Sequence, residues 1–166
     1  GQKIKIEKIN IHGYTEDIKE SKLAAAMKKT KDKRLANFFR SKKFNEKEYK
    51  NDKAALLEVF NEAGFRDAVV VGDSISYTPE NRMVLDIYFD QGKRYYFRDI
   101  TWTGNSVYTT DQLNSILMIK KGDIYDVVTM DKRLQGDPKQ QHMDVRKMYT
   151  DNGYLFFNIT PVELAI

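Results

Sequence analysis

The chain has 166 residues, 41% of them apolar and 12% aromatic, with no cysteine and a formal net charge of +4. That composition excludes a disordered chain and rules out a disulfide framework, a thiol nucleophile or a cysteine-ligated metal. No run approaches the roughly 18 consecutive apolar residues of a membrane-spanning helix. The charge excess is local: Lys28, Lys29, Lys31, Lys33, Arg34, Arg40, Lys42 and Lys43 stand against one acid, Asp32. No signal peptide is visible, and Gly1 directly before a strand-like segment reads as an internal cut from a longer protein.

Taken in chain order, Ile4, Ile6, Ile9 and Ile11 alternate in a β-branched run that ends at Gly13 and predicts a strand. Its phase slips at Glu7-Lys8, which predicts a bulge. A helix is predicted from about Ser21 to Lys29, with Leu23 and Met27 four apart. In the basic stretch that follows, Leu35, Phe38 and Phe39 keep helical spacing. A long helix is predicted from about Asn45 to Ala63, with Tyr49, Leu56, Phe60 and Ala63 facing inward and Leu57 beside them. Gly64 is placed to stop it in a left-handed conformation. A valine-rich strand from Phe65 to Tyr77, a turn at Pro79 and Asn81, and a strand in which Met83, Leu85, Ile87 and Phe89 alternate with Val84, Asp86, Tyr88 and Asp90 complete the series. The order is β-α-α-β-β, with the helices on one face of a small sheet.

The series then starts again. Ile9-Asn10-Ile11-His12-Gly13 returns as Ile100-Thr101-Trp102-Thr103-Gly104 at an offset of 91, Leu23 and Met27 return as Leu113 and Leu117 at 90, and Gly64-Phe65 returns as Gly153-Tyr154 at 89. Three anchors in one order at near-constant offset predict two copies of one unit, spanning residues 1–91 and 92–166. The second copy is predicted to hold the slipped strand over Tyr95, Phe97, Ile100 and Trp102, and a helix opened by the capping-box spacing Thr109-x-x-Gln112. A turn at Lys120 to Tyr125 follows, then a helix interrupted at Gly136-Asp137-Pro138 and resumed at Val145, Met148 and Tyr149, and a strand from Tyr154 to about Glu163. Copy one runs 28 residues from Gly64 to Gly92 and copy two 13 from Gly153 to Ile166, so the second copy is expected to lack its last strand. Tyr154 to Glu163 is therefore expected to be frayed or paired with another chain. Tyr95, Tyr96, Phe97, Trp102 and Tyr108 are expected to divide between core and contact between the copies.

Ile100-x-Trp102-x-Gly104-Asn105, Leu113, Lys121-Gly122-Asp123-x-Tyr125 and Tyr149-x-Asp151-x-Gly153-Tyr154 together resemble the POTRA (polypeptide-transport-associated) repeat. Ile9-x-Ile11-x-Gly13, Leu23 and Phe60-Asn61-x-x-Gly64-Phe65 repeat the pattern more loosely. The likeness is to the repeats in the periplasmic arm of the BamA family of outer-membrane protein assembly factors. It implies an α+β fold of two tandem βααββ domains around a small mixed sheet. It also implies a place at the periplasmic face of the bacterial outer membrane, next to the protein's own C-terminal membrane β-barrel. The implied partners are unfolded outer-membrane protein precursors and accessory assembly lipoproteins, with no nucleic acid. The implied mode of binding is β-augmentation, in which an extended peptide adds a strand to a sheet edge.

The residues that suit this role are Ala68, Val69, Val70 and Val71, small or β-branched with no proline among them. A second candidate is the basic aromatic stretch, with Lys33, Arg34, Phe38, Phe39, Arg40, Lys42 and Lys43 as a patch for a partner or an anionic lipid surface. Two other readings share these residues: a basic membrane-surface module, or a POTRA-like domain of a two-partner secretion or cell-division protein. Catalysis finds no constellation. His12 and His142 fall in different copies, Asp86 and Asp90 have no nucleophile or metal beside them, and Gly72-Asp73-Ser74 lacks the nucleophile-elbow frame. The chain is therefore read as a non-enzyme with no cofactor and no metal.

Overall fold

The computed structural model describes residues 4–27 and 42–164, with the backbone alone at positions 42 and 43. The chain divides into two units, Gly1–Tyr95 and Tyr96–Ile166.

In the first unit, β1 (Lys5–His12), α1 (Glu20–Ala26), β2 (Lys42–Lys43), α2 (Glu46–Glu62), β3 (Val69–Tyr77) and β4 (Met83–Asp90) follow in order. The strands form one mixed sheet, β2-β1-β4-β3. β4 is central, parallel to β1 and antiparallel to β3. Its alternation explains the position: Met83, Leu85, Ile87 and Phe89 are all buried against the helices, and the residues between them face the other way. The phase slip in β1 is a bulge, since Ile6 pairs with Met83 and Lys8 with Val84. The core joins Ile6 and Ile9 of β1 to Leu23 and Met27 at α1, and to Leu56, Val59 and Phe60 of α2. α2 is capped at its start by Asn45, whose side chain accepts from the Glu48 amide. It ends as the glycine predicts: Gly64 sits at φ 91°, its amide donates to Asn61 O, and the Phe65 amide reaches back to Phe60 O at 3.0 Å.

In the second unit, α3 (Thr110–Leu117), α4 (Val127–Gln135) and α5 (Val145–Thr150) gather around Leu113, Leu117, Leu134 and Val145, with Ile100, Trp102, Met148 and Ile159 packed against them. The duplication is visible bond for bond at one helix end. Gly153 donates to Thr150 O and Tyr154 to Tyr149 O at 3.0 Å, the same cap as at Gly64-Phe65. The Thr109–Gln112 capping box forms with both of its hydrogen bonds.

Two predicted strands of the second unit do not form ladders among the described residues. Tyr95 to Trp102 contributes one bridge, Tyr96 to Ile124. Tyr154 to Glu163 forms no strand and bends at Phe156; it is held by Phe157 stacked on Tyr149 and by Gln135 Nε2 donating to Ile159 O at 2.9 Å. The reason lies in how β1 is secured. Its ladder is mainly with β4, and β2 adds only the Lys5 and Ile6 pairs. The Tyr96 to Ile124 bridge corresponds to the β1–β2 pairing, and no described residue of the second unit corresponds to β4. Four of the junction aromatics have a partner within their own unit. Tyr95 Oη donates to Asp67, Phe97 lies on Tyr125, Trp102 Nε1 donates to Asn114, and Tyr108 Oη donates to Met148 O.

Candidate functional site

β3 is the outer strand of the sheet, bonded to β4 on one side and to no described strand on the other. In such a strand every second residue points its N–H and C=O away from the partner. Proline, which would block pairing, appears only beyond the strand, at Pro79 in the turn. That turn is tight. The Thr78 amide donates to Arg82 O at 2.8 Å, Asn81 takes φ 59°, and Arg82 Nη1 reaches Glu7 Oε2 at 3.0 Å.

The four residues singled out from the sequence do not share one environment. Ala68 precedes the strand: it is 8% exposed, belongs to the core, and its amide donates to Phe65 O. Val69 pairs with Asp90 and is exposed on the sheet's outer face; Val70 pairs with Phe89 and packs against the core. Val71 has no place in the register, which steps from Val70–Phe89 to Gly72–Tyr88, and its side chain is 62% exposed. The N-terminal part of the strand is therefore a bulge, and from Gly72 to Tyr77 the ladder is regular.

Beyond the bulge, Asp73, Ile75 and Tyr77 pair with Ile87, Leu85 and Met83, which puts them on the helix side of the sheet. Asp73 is fixed there by α2. Tyr49 Oη donates to Asp73 Oδ2 at 2.6 Å, and Lys53 Nζ lies 3.9 Å from the same carboxylate and 4.5 Å from the Tyr49 ring centre. Burial, reinforced by the bond to the carboxylate, raises the Tyr49 phenol well above its ordinary pKa of 10.0. Ile75 and Tyr77 lie beyond the cover of the helix and remain half exposed. None of Tyr49, Asp73, Ile75 and Tyr77 was picked out as a site residue from the sequence. The every-second-residue continuation Asp73-x-Ile75-x-Tyr77 was the available signal.

Tyr49→Phe tests the anchoring bond. Removing it costs about 1 kcal/mol of stability at neutral pH in urea titrations. The folded chain keeps this phenol protonated where the unfolded chain ionises, so its contribution is complete below pH 10 and is lost as pH rises further. The gap between parent and variant therefore narrows in alkaline titrations, and a constant gap would show that the bond is not the cause.

On the outer face of the sheet, Asp86 Oδ1 lies 2.7 Å from His12 Nε2 and accepts from Asn10 Nδ2 at 3.1 Å, while Tyr88 stacks on the His12 ring at 4.7 Å. The bond to His12, opposed by desolvation, holds Asp86 below the usual carboxylate range. This is a cross-strand lock between β1 and β4, and Asp90 accepts from the Gly92 amide at the strand end. Among the described residues no three His, Asp or Glu side chains gather as a metal site, and no helix is long and apolar enough to cross a membrane. Of the basic patch, Lys33, Arg34, Phe38, Phe39 and Arg40 lie outside the described residues. Lys42 and Lys43 form β2, paired with Ile6 and Lys5.

Comparison with known proteins bears on the whole chain. A family model described as POTRA, surface antigen variable number repeat, matches residues 4–92 and again residues 95–164. A putative outer membrane protein assembly factor of Treponema pallidum is 27% identical over 135 residues, 78% of this chain and 15% of that relative. Outer membrane protein assembly factor BamA of Neisseria meningitidis serogroup B is 27% identical over 97 residues, 58% of this chain and 12% of that relative. The chain thus spans no more than 15% of the length of these curated relatives. Among solved structures, POTRA3-5 of Haemophilus influenzae BamA superposes with a TM-score of 0.53 at 15% identity, covering 79% of this chain and 51% of that one, a likeness of fold.

Proposed function

The chain belongs to the POTRA family, and from that premise we propose that its two repeats are peptide-binding modules of an outer-membrane β-barrel assembly factor, working at the periplasmic face of the membrane. They receive unfolded outer-membrane protein precursors by β-augmentation and dock accessory assembly proteins. The observation that carries this reading is β3, a nine-residue strand at the border of the sheet that is bonded to one neighbour among the described residues. Backbone donors and acceptors recognise any extended chain, so one such border serves clients of many sequences and releases them readily. The two curated relatives, both named as assembly factors, support the same class of function.

A chemical-shift titration with a peptide from the terminal strand of an outer-membrane β-barrel protein tests it. Amide perturbations are expected along β3, with smaller ones in β4. Perturbations confined to α1 and α2 would refute strand addition.

A further inference from the structure

We propose that Asn152 is a site of non-enzymatic deamidation, held unreactive by the folded end of α5 and released to react whenever that end opens. The chemistry is that of an asparagine followed by glycine, a pair that occurs once in the sequence. The Gly153 nitrogen gives its proton to hydroxide and attacks Asn152 Cγ. The Cγ–Nδ2 bond breaks, and the nitrogen takes a proton from water and leaves as ammonia, closing a succinimide ring. Water then adds to one of the two ring carbonyls and its bond to the Gly153 nitrogen breaks. The product is aspartate, or the isomer in which the main chain runs through the former side-chain carbon. A side chain at the following residue would crowd this attack. Gly153 leaves it open: at φ 87° a Cβ there would meet nothing within 4 Å, and Asn152 itself is exposed.

In the folded chain both reacting groups are occupied. The Gly153 amide donates to Thr150 O at 3.1 Å. Asn152 Nδ2 donates to Met148 O at 2.8 Å, the carbonyl that also accepts from Tyr108 Oη. On either side, the Asn152 and Tyr154 amides both donate to Tyr149 O, at 3.2 and 3.0 Å. Reaction requires the Gly153 N–H to reach solvent and the carboxamide to swing away from Met148 O, and both movements unwind the last turn of α5. Phe157, stacked on Tyr149 at 4.8 Å, holds the following segment against that helix and so keeps the turn closed. The first unit has the same cap at Gly64, preceded there by Ala63. It carries no carboxamide to react, so the chemistry belongs to the second unit alone.

The reaction runs one way and undoes the structure that restrained it. Aspartate at 152 places a negative charge beside Asp151, at the helix end that already carries negative partial charge, and it removes the donor to Met148 O. The isomer adds a carbon to the main chain inside the cap, so the bonds from 153 and 154 back to the helix no longer match. Either product loosens Tyr154 and the residues after it from α5.

The test compares three samples in one mildly alkaline buffer: the whole chain folded, the whole chain in guanidinium chloride, and a synthetic peptide of residues 148–157. Conversion is read by mass spectrometry of tryptic digests. Unfolded chain and peptide are expected to convert at one rate, with Asn152 ahead of Asn105 and Asn114, each of which precedes a serine. The folded chain is expected to convert at least about ten-fold more slowly, at a rate set by local opening. Phe157→Ala, which touches neither reacting residue, is expected to speed the folded chain several-fold. In Asn152→Asp the Tyr154 amide is expected to exchange faster with solvent, with the α3 amides unchanged. A folded chain as fast as the peptide, or a Phe157→Ala rate equal to the parent's, would overturn the cap as the gate. Another asparagine reacting first in the unfolded chain would overturn the site, and unchanged exchange at Tyr154 would overturn the release.

Discussion

Gly13→Ala destabilises the first unit by about 4 kcal/mol or more, while Gly104→Ala, the same substitution at the repeat-equivalent position, costs the second unit about 1–2 kcal/mol. Both glycines end the same five-residue motif, and both have positive φ, 92° and 75°. The strain of a side chain in that conformation is common to them. What differs is the neighbour. A Cβ on Gly13 would fall 1.9 Å from the carbonyl oxygen and 2.8 Å from the carbonyl carbon of Phe89, whereas a Cβ on Gly104 meets nothing within 4 Å. The atoms in the way are backbone, belonging to the central strand of the sheet, so no rotamer change relieves the clash. A unit of about 95 residues holds roughly 5–14 kcal/mol in all, so the loss at Gly13 is a large share of it. Urea titrations followed through the β1 and β4 amides for one variant, and the α3 amides for the other, measure the two costs. Equal costs would mean that β4 does not press against the end of β1.

That asymmetry also marks where sequence reading reaches its limit. Whatever one segment can state about itself was legible. The alternation of Met83, Leu85, Ile87 and Phe89 gives β4 with its buried face, the Thr109 to Gln112 spacing gives the start of α3, and Gly64 and Gly153 give two matching helix ends. Duplication was legible because both copies keep the residues those turns demand. What a segment cannot state is its partner. That β4 enters the sheet between β1 and β3 follows from long-range pairing, and the reading of a regular strand from Phe65 missed both the turn at Phe65–Ala68 and the bulge at Val71. Asp52 and Val59 escaped the inward face assigned to α2, because the helix presents a wider stripe to the sheet than its largest residues mark. Asp86 illustrates the same limit: its alternation places it on the outer face, but the bonds to His12 and Asn10 exist only because β1 runs parallel beside it. β3 was legible as an element, while the register along it depends on pairing that no single strand encodes.

Phe60→Ala is expected to cost about 3–5 kcal/mol, and Phe156→Ser less than about 0.5 kcal/mol, though both residues sit in aromatic-rich surroundings of a small unit. Phe60 is fully buried and stacks on Phe89 with ring centres 4.8 Å apart and planes 22° from parallel. Truncation removes the ring's transfer free energy and leaves a cavity between α2 and β4 that the close-packed backbone of the sheet cannot fill. Part of the cost belongs to the pair, so a double-mutant cycle with Phe89→Ala should return a coupling of about 0.5–1.5 kcal/mol. Phe156, by contrast, is 101% exposed, and its neighbour Phe157 makes the contact with Tyr149. A phenylalanine contributes only what its backbone position lets it bury, and here the position is set by whether the strand beside it is paired. Denaturant midpoints at constant slope decide the matter: a loss at Phe156 comparable with that at Phe60 would mean that the segment after Gly153 packs against a surface of its own, and that the second unit is closed along its border.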